Sequence, residues 1–466
     1  MRYHSHKTPS VKAAFSDALL ASLAPDGGLW MPDRLPYFSA AERAELARMS
    51  FAALASRLAR EFVDDRFSQA DIDGVCADAY DIDLPIRALP GASHRASGKD
   101  YMLELFHGPT LAFKDFAARF MARATAELLG RSDMRRTILV ATSGDTGGAV
   151  GAAFAGLPGV RVCILYPKDG VSRIQRAQLN MVGREEGNVR ALAVEGSFDD
   201  CQALVKAAFA DEELAQAHGL MSANSINIGR VIPQSFYYYW SSLKLKAIHP
   251  DEPLTVSVPS GNLGNLTGGL IARKMGAPID RFIVAHNVND PFVEYLTTSV
   301  YRPRASVRTL SNAMDVGRPN NIARILALFD DDVEAIREVC WGASFTDTET
   351  EAHLRAVHDA TGYLMCPHTA VGYAAAQAYK EKIDDRGVFL MLATAHPAKF
   401  AEAVERIAAT PVDLPVSLAA ALAAQPEITT IEPSLSALRA FLEVERDLVS
   451  DSALRRSGIE TGTGQK

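Results

Sequence analysis

Cysteine is scarce in this chain of 466 residues. There are five (Cys76, Cys163, Cys201, Cys340 and Cys366), and none is spaced C-x-x-C. That excludes a disulfide framework and a cysteine-based zinc site. Isolated cysteines in a long chain pack as small hydrophobes in a reducing compartment, which points to the cytoplasm. The eleven histidines are scattered. His353 and His358 are too far apart to share one helical face, so no metal site is expected. Long apolar runs are also missing: nothing approaches the ~18 residues needed for a membrane span. Lys12 and Asp17 interrupt the N-terminal apolar residues before a signal-peptide core can form. Basic clusters are absent too. With 48 Lys+Arg against 56 Asp+Glu, the net charge is −8, a poor basis for neutralising nucleic-acid phosphates.

What remains is the balance of an ordinary globular protein, 48% hydrophobic and 22% charged, long enough for about three domains. Residues 1–98 read as largely helical, with three- and four-residue apolar spacing over 13–23 and 40–62. Pro25-Asp26-Gly27-Gly28 is a turn. From about residue 100 short β-branched strands alternate with helices: 137–141, 160–165, 189–194, 254–258, 281–285 and 388–393. Repeated strand–loop–helix units with apolar strands imply parallel α/β sheets covered on both faces. Ligands in such sheets bind at the carboxyl ends of the strands. Beyond Pro411 the chain is rich in Ala and Leu and reads as helical, with a frayed tail.

Four segments carry candidate chemistry. In His107-Gly108-Pro109-Thr110-Leu111-Ala112-Phe113-Lys114-Asp115-Phe116, a lysine stands among aromatics at a helix start. Desolvation and the helix dipole destabilise its cation there, and the free amine can form a Schiff base. A surface lysine beginning a helix is the plainer alternative. The strand–helix loop Ser260-Gly261-Asn262-Leu263-Gly264-Asn265 can converge backbone N–H groups on an anion at a helix N-terminus. It could also be a tight turn without a ligand. Ser143-Gly144-Asp145-Thr146-Gly147 offers hydroxyls and N–H groups to a second anionic group, or is simply a capped helix start. Thr394, in Thr394-Ala395-His396-Pro397-Ala398-Lys399, could meet a neutral heterocyclic nitrogen, or merely end a strand. The aromatic run Phe236–Trp240 reads as core. Arg230 could grip a phosphate bidentately or serve a structural ion pair.

Together these segments, in this order, resemble fold-type II pyridoxal-phosphate enzymes. More closely the chain is similar to the threonine synthase family in its longer bacterial and fungal form. The resemblance is carried by LAPDGGLWMPDRLP (24–37), LELFHGPTLAFKDFAARF (103–120), ATSGDTGGAV (141–150), SANSINIGR (222–230), VPSGNLGNLTGGL (258–270), LSNAMDVGRPNN (310–321) and TAHPAKF (394–400). It implies a tryptophan synthase β-like fold. The expected parts are an N-terminal domain (1–98), a large cofactor-binding domain (99–130 and 225–410), a small α/β domain (131–224) and a C-terminal helical extension (411–466). It also implies pyridoxal 5'-phosphate held covalently by Lys114 beside Phe113, its phosphate wrapped by Gly261, Asn262, Leu263, Gly264 and Asn265, and its ring nitrogen met by Thr394. Ser143, Asp145 and Thr146 would lie near the cofactor and the substrate carboxylate, with Asn227, Arg230 and Lys399 as candidates for a substrate phosphate. Leu263 stands where the family often has Phe, and Asn265 where some members have Asp. The implied reaction turns O-phospho-L-homoserine and water into L-threonine and phosphate, in a monomer or small homo-oligomer. The rivals are a phospho-lyase yielding 2-oxobutyrate and a non-catalytic phosphate-ligand sensor.

Overall fold

The computed structural model describes residues 1–89, 99–132, 134–142, 144–183, 185–383, 387–424 and 428–444. Two largely parallel sheets dominate it. The larger has six strands in the order Cys340–Ser344, Arg281–His286, Leu254–Pro259, Val388–Ala393, Asp100–Glu104 and Ile86–Ala88, antiparallel only at the last pair. Leu254–Pro259 and Val388–Ala393 are buried at every position. This is why they read as unbroken apolar runs rather than alternating ones. The smaller sheet orders Thr429–Ile431, Val189–Val194, Val160–Pro167, Arg136–Ala141 and Leu220–Ser222, all parallel.

Helical spacing in the first hundred residues becomes Phe15–Ala21, Ala40–Leu46, Phe51–Ala59 and Gln69–Ala79. Ser39 and Ser68 open two of these with reciprocal capping boxes. The same region also holds a three-stranded antiparallel sheet of Lys12–Ala14, Arg2–Ser5 and Trp30–Pro32. Strands of three or four residues are too short for periodicity to reveal. The chain after Pro411 likewise departs from an all-helical reading. After the helix Val416–Ala423, Thr429–Ile431 pairs with Leu192–Val194 and becomes an edge of the smaller sheet. At the other end of the first domain, Ile86–Ala88 pairs with Tyr101–Leu103 in the larger sheet. No helix among the described residues is long and apolar enough to cross a membrane.

The aromatic run lies inside the helix Gln234–Ile248, with Phe236, Tyr237, Tyr238 and Tyr239 fully buried. It is core, but it does more than fill space. Both Tyr237 and Tyr238 donate their hydroxyls to Asn265 Oδ1, at 2.5 and 2.8 Å.

Candidate active site

The carboxyl ends of the two sheets meet around a cavity of 290 Å³. Lys114 is the first residue of the helix Lys114–Leu129. The loop before it is fastened to the strand end at Thr394: Phe113 N donates to Thr394 O (2.9 Å), and His396 N donates to Leu111 O (3.0 Å). Leu111 takes a left-handed φ of 59° to make that corner. A left-handed backbone is uncommon for a leucine. The Lys114 side chain is 14% exposed, with its Nζ 4.7 Å from the Phe113 ring centroid. Burial, reinforced by Lys399 and Arg230, brings its amine down to about 8, although Asp145 pulls the other way.

Asp145 begins the helix Asp145–Phe154 from the smaller sheet. Thr142 Oγ1 accepts from Gly144 N and Gly147 N at that turn, each at 2.9 Å. The Asp145 carboxylate lies 2.8 Å from Lys399 Nζ and 3.8 Å from Lys114 Nζ, and accepts from Gln175 Nε2 at 3.1 Å. Burial opposes its ionisation, yet Lys399 and Lys114 hold it below the usual carboxylate range. The ionised Asp145 is thus engaged by both lysines, the nearer being Lys399.

The anion loop begins at the end of Leu254–Pro259 and enters the helix Gly264–Lys274. Leu263 stands at its N-terminus in the left-handed region (φ 61°). A Cβ on Gly261 would come within 2.9 Å of Met314 Cα, so the neighbouring backbone requires glycine there. Asn262 is a strut: its Nδ2 donates to Ser225 Oγ (2.9 Å) and its Oδ1 accepts from Asn320 N (2.6 Å). The buried Arg324 ties these loops to the N-terminal domain, donating to Trp30 O, Ser225 O and Ile226 O.

The structure brings Phe113, Lys114, Asp145, Thr146, Arg230, Gly261, Asn262, Leu263, Gly264, Asn265 and Thr394 to one cavity wall. Two sequence candidates are corrected. Asn227 is buried and spent on the fold: its Nδ2 donates to Leu19 O, Ser22 Oγ and Ser222 O, and its Oδ1 caps Gly229 N. Lys399 is fully buried behind the wall, donating to Thr110 O at 2.8 Å and paired with Asp145, so it is not free for a substrate phosphate. Ser143 lies outside the described residues. Sequence reasoning missed His368, which also lines the cavity, as do Leu23, Gly27 and Leu29 of the N-terminal domain. Prolines and glycines near residue 27 signalled a turn, but not what it faces.

Whether this cavity suits a phosphorylated cofactor can be tested on its own atoms. Three buried nitrogens in its lining residues have no hydrogen-bond partner among the described residues: Arg230 Nε, Asn265 Nδ2 and His368 Nδ1. Leaving such a group unpaired costs about 1–3 kcal/mol. Three N–H groups beside a low-pKa amine and a helix N-terminus fit a ligand rich in anionic oxygen and carrying an aldehyde.

Comparison with known proteins agrees. The pyridoxal-phosphate dependent enzyme family matches residues 81–395, the threonine synthase N terminus matches 2–80, and the threonine synthase C-terminal family matches 369–442. Threonine synthase of Haemophilus influenzae is 42% identical over 418 residues, 90% of this chain and 94% of that one. The chain belongs to the threonine synthase family. The Escherichia coli relative is 41% identical over 90% of this chain and 94% of its own. A PLP-bound threonine synthase from Brucella melitensis superimposes with a TM-score of 0.87 at 34% identity, covering 96% of this chain and 99% of that one. The threonine synthase fold is thus fold type II, and the cofactor is pyridoxal phosphate.

Proposed function

We propose that this chain converts O-phospho-L-homoserine and water to L-threonine and phosphate. The observation that carries the reading is the meeting of Lys114, its amine lowered to about 8, with unpartnered buried donors in one cavity. Pyridoxal phosphate, when bound, supplies the electron sink that makes the substrate Cα–H acidic. Lys114 would hold it through its amine, the backbone of Gly261 to Asn265 would hold its phosphate, and the Thr394 hydroxyl would face its ring nitrogen.

Once the substrate amine has displaced it from the cofactor, the Lys114 amine would act as the base, taking the Cα proton and, after giving that proton up, a Cβ proton. Arg230, buried without an ion-pair partner among the described residues and lowered to about 10 chiefly by burial, would meet the phosphate departing from Cγ. A proton goes back to Cγ, water adds at Cβ, and a proton returned to Cα completes threonine. Thr146, which lines the cavity, would help orient the substrate. The mildly acidic surface and five buried, free cysteines support a cytoplasmic enzyme working on a small molecule, without nucleic acid or membrane, as a monomer or small homo-oligomer.

The test is one incubation with pyridoxal phosphate and O-phosphohomoserine, following phosphate, threonine and 2-oxobutyrate together. Threonine equal to phosphate is expected, and Lys114→Ala should abolish it. Phosphate with 2-oxobutyrate would make the protein a lyase. A chain that binds the cofactor and releases no phosphate would be a sensor.

A further inference from the structure

His368 is the second residue of the helix Pro367–Ile383 and is 3% exposed. Its Nε2 accepts a hydrogen bond from Ala313 N at 3.1 Å. A neutral imidazole that accepts at Nε2 carries its proton on Nδ1. That Nδ1 is buried and has no partner among the described residues, although His368 lines the cavity shared by Lys114 and Asp145. The neutral state is enforced from several sides. Burial pushes the ring down to about 4, and Lys114 and Lys399 push the same way against the opposing pull of Asp145. The ring is also held in place, 4.8 Å from the Phe400 ring centroid. A fixed, neutral, buried N–H with nothing to donate to is a donor whose acceptor arrives with a ligand. Asp145 does not fill that role, since its oxygens are engaged by Lys399, Gln175 and Lys114.

We propose that His368 binds ligand directly, donating from Nδ1–H to an anionic oxygen beside Lys114, either the ring oxygen of the cofactor or the carboxylate of the amino-acid substrate. The proposal rests on the pyridoxal-phosphate reading of the cavity. It gives the helix Pro367–Ile383 a share in recognition that none of the four sequence motifs carries.

The two ring nitrogens can be separated by substitution. In His368→Asn the amide N–H stands where Nδ1 stood, while the acceptor for Ala313 N is lost. In His368→Gln the amide oxygen reaches Ala313 N, while the donor at Nδ1 is lost. Pyridoxal phosphate is titrated into each apoprotein by fluorescence. The unreactive phosphonate isostere of O-phosphohomoserine is then titrated into each loaded protein by calorimetry. His368→Gln is expected to lose roughly tenfold or more in one titration, and His368→Asn to stay within about threefold of the unaltered chain in both. A loss in the first titration identifies the cofactor oxygen as acceptor, and a loss only in the second identifies the substrate carboxylate.

The opposite ranking, with His368→Gln normal and His368→Asn impaired, would reduce His368 to a clamp on Ala313 and overturn the proposal. So would equal behaviour of both variants. Should either fail to fold, nitrogen-15 histidine resonances of the unaltered chain decide instead. Nδ1 must be protonated without ligand and must shift when one of the two ligands is added. If the unaltered chain binds no pyridoxal phosphate, the cofactor reading fails, which is a different result from variants that bind normally.

Discussion

Lys399 Nζ sits 2.8 Å from the Asp145 carboxylate, closer than the 3.8 Å between Asp145 and Lys114. The acid therefore belongs first to the lysine outside the cavity wall and only second to the one inside it. Burial chiefly brings the Lys114 amine down to about 8, and an Asp145 shared with Lys399 only partly offsets it.

Removing Lys399 should reverse that balance. In Lys399→Met, Lys114 loses a like-charged neighbour and becomes the chief partner of Asp145, so its amine is expected to titrate above 8. The pH dependence of cofactor capture, followed by absorbance, measures this. An unchanged or lower midpoint would contradict the arrangement. The same variant removes one partner of a buried pair, so about 3–5 kcal/mol of stability should go with it, read by denaturant unfolding.

In the unaltered chain, capture of pyridoxal phosphate requires the free amine. With Lys114 near 8, about one molecule in ten presents it at pH 7. The capture rate should climb roughly tenfold per pH unit up to about 8 and flatten above. A rate still rising at pH 10 would show an ordinary lysine.

Gly261→Ala places a methyl group 2.9 Å from Met314 Cα, a backbone atom that cannot rotate away. The anion loop must shift, and cofactor affinity is expected to fall at least tenfold in a fluorescence titration while the melting temperature moves little. Normal affinity would mean that the loop position does not matter.

Arg324 is fully buried and no carboxylate among the described residues neutralises it; burial lowers it to about 9. Its donors go to the carbonyls of Trp30, Ser225 and Ile226 and to Asn321 Oδ1. Arg324→Met strands those acceptors and should cost about 3 kcal/mol or more. Arg324→Lys should recover little, because one ammonium cannot span three separate loops. Urea unfolding of the two variants is the check.

The parts of the fold legible in the sequence were those with a repeating signal. The strands 189–194 and 388–393 match to the residue, and the second, buried at every position, is apolar throughout. Leu220–Ser222, Thr429–Ile431 and the small N-terminal sheet escaped notice because three or four residues hold no period. At the site, glycine loops and Lys114 announce themselves locally. Asn227 looked like a ligand group because a side-chain amide that caps a short helix and one that binds phosphate are the same chemistry. Only its three acceptors distinguish them. His368 left no motif, since a donor becomes conspicuous only when its surroundings are known to lack an acceptor.

The clasp between Thr429–Ile431 and Val189–Val194 also has a bearing on biosynthesis. Asp145 is translated long before Lys399, and the smaller sheet before its own edge strand. A nascent chain arrested between residues 145 and 399 has made Lys114 and Asp145 but not the lysine that lies nearest to Asp145 in the complete chain. The smaller sheet gains its edge strand only once residue 431 has been made, and Asp145 meets its nearer cation only once residue 399 has.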